Sequence, residues 1–361
     1  MRVLEMRLQD FRNVTFASID LFANRCFLLG SNGQGKSNYL EAVGLLSALR
    51  SFRTQSTAVL PRRGQKEFSV FYRVEMMDAG ESEIIVRFGD GVRRVEVDGE
   101  PVSRMRDFIG RYPVVALSSD DLMLLRGSPA ERRRFIDLTL ATLDPEYYSA
   151  VKYYHRSVAG RNRLLKQGAS APELSAFELE IAKHGIKVIA FRVGVMARIR
   201  EHLKTIYAGI AEGTEGADFT YQPNVESDDI ESYRALLQAN RQRDSIIGTT
   251  QRGPHRDDFK LTFDVGRAKE YASDGQQRGL CVALRLAQSA LYVERLGIEP
   301  LLLVDDVLGE LDSVRREGFW KVCPDSMQVI ASGTELPTGC HAQNWTIYSI
   351  KNGQAEQRID H

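Results

Sequence analysis

Residues 30 to 37 read GSNGQGKS, a complete G-x-x-x-x-G-K-[ST] pattern, and its chemistry is the binding of a nucleoside triphosphate with Mg²⁺. Backbone N–H groups must converge on the α- and β-phosphates. Gly30, Gly33 and Gly35 permit conformations and close approaches that a Cβ would obstruct. Ser31, Asn32 and Gln34 complete the loop, Lys36 would reach the β- and γ-phosphates, and Ser37 would coordinate the metal. An ordinary glycine turn carries the same letters by chance. The context argues against that, because the apolar run Cys26, Phe27, Leu28, Leu29 predicts a strand before the loop and Ser37 to Leu49 a helix after it.

Two further segments carry chemistry. Leu301 to Val304 followed by Asp305 and Asp306 fits a buried strand that ends in two carboxylates at the edge of a parallel sheet. Asp305 would hold the Mg²⁺ shell, and Asp306 would orient or deprotonate the attacking water. Without the upstream loop, the pair reads equally well as a cap on the next turn. The stretch YASDGQQR, Tyr271 to Arg278, precedes a helix with apolar Leu280, Ala283, Leu284, Ala287 and Leu291. Ser273 suits an N-cap, and a helix N-terminus with a hydroxyl and Gly275 can receive a γ-phosphate or be a capped helix and nothing more.

The elements that must position these residues change character along the chain. Strand patterns dominate to about residue 117: Val3 to Leu8, Phe16 to Leu21, Arg25 to Leu29, Glu67 to Glu75, Glu83 to Phe88, Arg93 to Val97 and Val114 to Leu117. Helix patterns follow at Ala130 to Thr142, Pro145 to Lys166, Leu174 to Ala211 and Ser227 to Arg241, and Gly213 to Gly216 is the clearest break. Strands are predicted again at Phe259 to Phe263, Leu301 to Val304, Gln328 to Ile330 and Trp345 to Ile350, with a helix from Gly275 to Leu296. This is an α/β sheet domain, residues 1–125 and 255–361, interrupted by a helical insertion, residues 126–254. The longest predicted helix would span roughly 57 Å, a compact arm rather than a rod.

Composition bounds the function. With 361 residues, 43% hydrophobic and 27% charged, the chain has material for two domains and a sizeable core. Lys plus Arg and Asp plus Glu both number 48, so a nucleic-acid partner must meet a local patch. The four cysteines show no C-x-x-C spacing, which points to reduced thiols in a cytoplasmic protein. No run approaches a membrane span, and MRVLEMRLQDF alternates and carries charge unlike a signal peptide.

The order of the motifs, with Gly309, Glu310, Leu311 and Asp312 after the Asp pair, resembles the ABC-type ATPases of the SMC and RecF group. The resemblance is closer to the RecF family of bacterial recombination mediators through LQDFRN (Leu8 to Asn13), RSFRT (Arg50 to Thr54), GSPAERRRFID (Gly127 to Asp137), GPHRDD (Gly253 to Asp258) and YASDGQQR. It implies an ABC-type ATPase head, lobe I, with an inserted helical lobe II. It also implies ATP and Mg²⁺ as cofactors, Arg12 and Asn13 beside the nucleotide, and Asp312 in the D-loop. Ser273, Gly275 and Gln276 would form a signature motif that completes the nucleotide site of a second copy. The implied function is a weak, DNA-dependent ATPase switch of replication restart, recombinational repair and the SOS response. Its implied partners are duplex DNA, single-strand/duplex junctions and other recombination mediators. Three positions depart from the pattern. Asp274 stands where ABC proteins have Gly and RecF proteins Gln, Asp306 replaces the glutamate of most ABC ATPases, and Ala331 to Thr334 offer no switch histidine. Ser118 to Asp121 is the best candidate for the Q-loop.

Basic clusters could meet DNA phosphates, with Arg50, Arg53, Arg132, Arg161 and Arg163 as candidates, although such runs are usually solvated faces. Arg132, Arg133 and Arg134 straddle a helix turn, so at least one must pair internally. Read without the family, GPHRDD is a turn with a surface ion pair of Arg256 with Asp257 or Asp258. An SMC-like structural tether would need long heptad arms, a transporter's nucleotide-binding subunit a membrane partner, and a nuclease fusion a further domain. The compact insertion argues against the tether, the N-terminal motifs and the arginine-rich insertion disfavour the transporter subunit, and no residual segment is long enough for a separate nuclease domain.

Overall fold

The computed structural model describes residues 1–54, 56–213, 215–264, 266–336 and 345–358. The chain divides into two compact units: Met1–Leu122 with Thr205–Glu215 and Ser273–His361, and Met123–Lys204 with Gly216–Ala272.

In the first unit, β1 (Arg2–Phe11), β2 (Val14–Asp20), β4 (Phe68–Met76), β5 (Gly80–Gly89), β6 (Val92–Val97) and β7 (Glu100–Pro101) form an antiparallel sheet in the order β2-β1-β4-β5-β6-β7. Their alternation fits a sheet with one buried face; in β4, Phe68, Val70, Tyr72 and Val74 point inward. A second sheet contains β3 (Arg25–Leu29), β8 (Val114–Ser118), β12 (Leu301–Asp305), β13 (Val329–Gly333), β14 (Thr346–Lys351) and β15 (Gln354–Gln357) in the order β15-β14-β3-β13-β12-β8. Every pair in it is parallel except β14 with β15. β12 and β13 are buried on both faces, which is why they read as continuous apolar runs. Helix α1 (Lys36–Ala48) buries Tyr39, Leu40, Ala42, Val43, Leu45 and Leu46 in a core shared with both sheets, so its surface is apolar nearly all round. The same unit holds α9 (Asp274–Leu296) and α10 (Ser313–Val322).

The second unit holds α2 (Met123–Arg126), α3 (Pro129–Leu143), α4 (Pro145–Lys166), α6 (Ile230–Ala239), α7 (Arg241–Ile247) and α8 (Ala268–Tyr271), with most of α5 (Ala171–Ile210). Its sheet pairs β10 (Asp258–Phe263) with β9 (Ala217–Gln222) and β11 (Gly266–Arg267). That pairing carries residues 258–263 into the second unit, beyond the sequence-based boundary at 254. The helix expected over 227–241 is α6, which ends at Asn240, and a further short helix, α7, follows from Arg241 beyond the expected segment. Asp229 starts the first by accepting from the Ser232 amide. Sequence periodicity missed β9 and α10, both short. Among the described residues, no helix is long and apolar enough to cross a membrane.

Candidate nucleotide site

Parallel register builds the site. It sets Leu29 beside Gly333, Asp305 beside Ser332, and Ser118 on the other flank of Asp305. The loop after β3, Ser332 and the Asp pair therefore lie along one carboxyl edge, where open α/β sheets bind ligands. The Ser37 hydroxyl donates to Asp305 Oδ1 at 2.8 Å, and the Ser332 hydroxyl donates to the same oxygen at 2.8 Å. A serine and a carboxylate 268 positions apart thus meet as hard oxygen donors, the set that suits Mg²⁺. Lys36 is buried, with Nζ 2.8 Å from the Gly30 carbonyl oxygen and 4.0 Å from Asp306 Oδ2.

The glycines divide by role. Gly33 and Gly35 take φ of +81° and +111°, conformations costly for other residues. A Cβ on Gly35 would also stand 2.8 Å from the Asn13 amide. Gly30 is required for a different reason than phosphate approach, since a Cβ there would meet the Ile350 carbonyl oxygen at 2.5 Å. No side chain caps α1; the Asn38 N–H closes onto the Gly35 carbonyl at 3.0 Å, and the N–H groups of Lys36 and Ser37 are placed to meet an anion.

Asp306 holds a left-handed backbone, φ 60° and ψ −1°, and its N–H donates to Ser332 Oγ at 3.2 Å. Burial raises its carboxyl above the ordinary aspartate value; Lys36 opposes this, and Asp305 and Glu310 add to it. Such a group is poised to orient or accept a proton from water.

Asn13 braces the loop, donating to the Gln34 carbonyl at 3.3 Å and accepting from Asn38 at 2.8 Å. The Arg12 guanidinium forks onto Glu41 of α1 at 2.7 and 2.7 Å and reaches the Val59 carbonyl, which ties the end of β1 to the helix that the loop opens. Glu41 is fully buried on α1 and also accepts from the Ser51 hydroxyl. Sequence reasoning passed it over, although a lone carboxylate in an otherwise apolar helix was the available signal.

The predicted signature segment opens α9. Ser273 Oγ accepts from the Gln276 amide at 3.3 Å, and Gln276 Oε1 accepts from the Ser273 amide at 2.8 Å, a complete capping box. Ser273 and Asp274 are exposed. Asp312 caps α10 through the Arg315 amide at 2.9 Å, and its carboxylate lies 3.4 Å from where a Gly275 Cβ would stand. At the Q-loop candidate, Ser119 donates to Glu310 at 2.9 Å, and Asp121 accepts the Ser118 amide and Arg285.

No family model matches the chain. Among curated proteins, the DNA replication and repair protein RecF of a Cyanothece species is 36% identical over 348 residues, covering 93% of this chain and 92% of that one. The chain belongs to the RecF family. The RecF protein of Myxococcus xanthus is 33% identical over 374 residues, covering 100% and 98% of the two chains. A solved structure of the recombination mediator protein RecF with ATP, in the RecFOR pathway, superposes at TM-score 0.89 with 25% identity over 99% and 98% of the chains. An Smc head domain bound to the C-winged helix domain of ScpA matches at TM-score 0.52 and 16% identity, a likeness of fold alone. The RecF-family chain therefore has the ABC-type P-loop ATPase fold.

The RecF-family motif GPHRDD is a buried support, not a surface ion pair. Gly253, at φ +140°, leaves room for the Tyr154 and Tyr233 hydroxyls, which a Cβ would meet at 2.1 and 2.2 Å. Asp257 is buried and accepts from Arg192 at 2.6 Å, from Tyr221 and from the Asn224 amide at 2.8 Å. His255 bonds the Tyr154 hydroxyl at 2.6 Å and the Thr250 carbonyl at 2.9 Å. Burial, partly offset by the Thr250 bond, holds this imidazole down to about 4. Below the ordinary histidine pKa of about 6.5, the unfolded chain takes a proton that the folded chain refuses until its own lower pKa. The second unit should therefore lose up to about 3 kcal/mol as pH falls from about 6.5 to about 4. Urea unfolding at pH 7 and pH 5 checks this, and His255→Gln should flatten the difference.

The arginine candidates for DNA also separate. Arg161 cannot meet a phosphate, because it is fully buried between Glu178 at 3.1 Å, Asp244 at 2.7 Å and Thr250 at 3.0 Å. Arg132 is likewise committed, forking onto Asp258 at 2.6 and 3.0 Å, and Arg133 reaches the Asp257 carbonyl. Arg50, Arg53 and Arg163 are exposed, although Arg53 also holds Asn38 at 3.0 Å and lies 3.6 Å from Glu41.

Proposed function

We propose that this chain is an ATP-dependent, DNA-binding switch of replication and recombinational repair, in which two copies close on two ATP molecules and slow hydrolysis reopens them. The observation that carries the reading is the 2.8 Å contact of Ser37 with Asp305, beside Lys36 and Asp306. Lys36 and the loop amides would hold the phosphates, and Ser37 and Asp305 would hold Mg²⁺. Among the described residues, no group of three His, Cys, Asp or Glu could hold a metal by itself. That agrees with Mg²⁺ arriving on the nucleotide, where it would neutralise phosphate charge. Asp306 would position water; one methylene shorter than glutamate, it suits slow turnover.

Ser273, Gly275, Gln276 and Asp312 would act on the nucleotide of the other copy. Met1–Leu122 with Thr205–Glu215 and Ser273–His361 would be the ATPase lobe, and Met123–Lys204 with Gly216–Ala272 the mostly helical lobe. Exposed Arg50, Arg53 and Arg163 would meet phosphates of duplex DNA or of single-strand/duplex junctions. The curated relatives are named for DNA replication and repair, and the solved relative with ATP for recombination mediation in the RecFOR pathway. Those names support a role in DNA repair beside other recombination mediators, and the proposal adds a cytoplasmic location and a part in the SOS response. Light scattering of the wild type with and without ATP, and with duplex DNA at two salt concentrations, tests the reading. A dimer that needs ATP and a salt-sensitive DNA complex are expected; a monomer at saturating ATP refutes the switch.

A further inference from the structure

Glu215, which no motif singles out, sits at a crossing of bonds around the first turn of α9. Its Oε1 accepts from Gln276 Nε2 at 2.9 Å and from Arg315 Nη2 at 2.9 Å, and its Oε2 accepts from Tyr207 at 2.6 Å and Arg315 at 3.1 Å. Arg315 extends its other nitrogen to Asp312 at 2.6 Å. Its stem lies over Gly279, where a Cβ would meet Arg315 Cδ at 2.9 Å, while Asp312 faces Gly275. These glycines stand four apart, so they form one flat helix face that admits the arginine. Gln276 is thereby held at both ends, by Glu215 and by the Ser273 amide. Also from this turn, Arg278 pairs with Glu310 at 2.9 Å, and Glu310 accepts from Ser119 at the end of β8. Burial would raise the Glu215 carboxyl, but the bonds from Tyr207, Gln276 and Arg315 hold it below the ordinary value, as an anion.

We propose that Glu215 is a positioning residue. Through Arg315 it locks Ser273–Gln276 and the Gly309–Asp312 loop into one preformed surface, which a second copy of the chain engages around ATP. This rests on the dimer reading above. The bonds join residues 61 and 100 positions apart, and the energy of a charge-assisted fork goes into holding a geometry rather than into touching nucleotide. Tyr207 lies in the last turns of α5, so the longest helix of the chain ends on this carboxylate.

The test is Glu215→Gln, which keeps the volume and removes the charge, measured by light scattering over a range of protein concentrations at saturating ATP. The concentration for half-dimerisation should rise about tenfold. Monomer ATP affinity, read with a fluorescent ATP analogue, should stay within about twofold, and the melting temperature of the ATP-free chain should hold. Glu215→Asp, which keeps the charge, should recover most of the loss. Dimerisation at the wild-type concentration, or ATP affinity falling in parallel, overturns the positioning role. A wild type that stays monomeric in the same experiment overturns the dimer reading and this role with it.

Discussion

Asp306→Asn is expected to slow ATP turnover by about 10²- to 10⁴-fold, the range for loss of a positioned acid–base group, while ATP binding persists. The substitution isolates the charge. Asp306 holds φ 60°, and asparagine visits this left-handed region more readily than most residues. The backbone bond to Ser332 should survive. Removing the carboxylate also relieves repulsion from Asp305 and Glu310, which together with burial keeps Asp306 above the ordinary value despite Lys36. The variant should therefore be no less stable than the wild type. If two copies close on ATP, it should accumulate the closed state. Steady-state phosphate release with a nucleotide-binding titration checks both halves, and unchanged turnover would remove Asp306 from the chemistry.

Arg192→Met should destabilise the second unit by about 3–5 kcal/mol, the range for breaking one side of a buried ion pair. Arg192 is buried and donates to Asp257 at 2.6 Å, to the Pro254 carbonyl at 2.6 Å and to Asp137 at 2.7 Å. Burial by itself would raise Asp137, yet Arg192, the nearby His155 and the bond from Tyr147 bring it down to about 2. Without the guanidinium, two carboxylates face each other's field in a poorly hydrated site. Asp257→Asn in the same background should recover part of the loss, because the network is shared. Urea unfolding of the single and double variants measures it, and additive losses would mean that the two groups act independently.

The elements that carry the candidate nucleotide site were legible because each is marked by a local pattern. The run Leu301 to Val304 reads as a buried strand, and a phosphate loop needs a strand before it and a helix after it; Ser37 and Asp305 then meet through parallel register. The arginines were not legible. Sequence displays their charge, whereas the partners of Arg161 and Arg132 stand 17, 83 and 126 positions away, on elements whose packing the local pattern does not encode. The pairing of Arg12 with Glu41, 29 positions on, was hidden for the same reason. GPHRDD read as a turn, which it is, but its burial depends on Tyr154, Arg192 and Tyr221, contributed by three other elements.

The most direct test of the composite site mixes two defective chains. Lys36→Ala removes the phosphate-binding lysine and leaves Ser273 intact; Ser273→Arg blocks the predicted signature and leaves the loop intact. Each variant alone should remain monomeric with ATP. Mixed in equal amounts, they should form a dimer with one sound site, the loop of the Ser273→Arg chain facing the signature of the Lys36→Ala chain. The introduced arginine then faces a loop that holds no nucleotide. Light scattering of the mixture should report ATP-dependent dimers that neither chain forms alone, whereas a mixture that stays monomeric would contradict a site completed by a second copy.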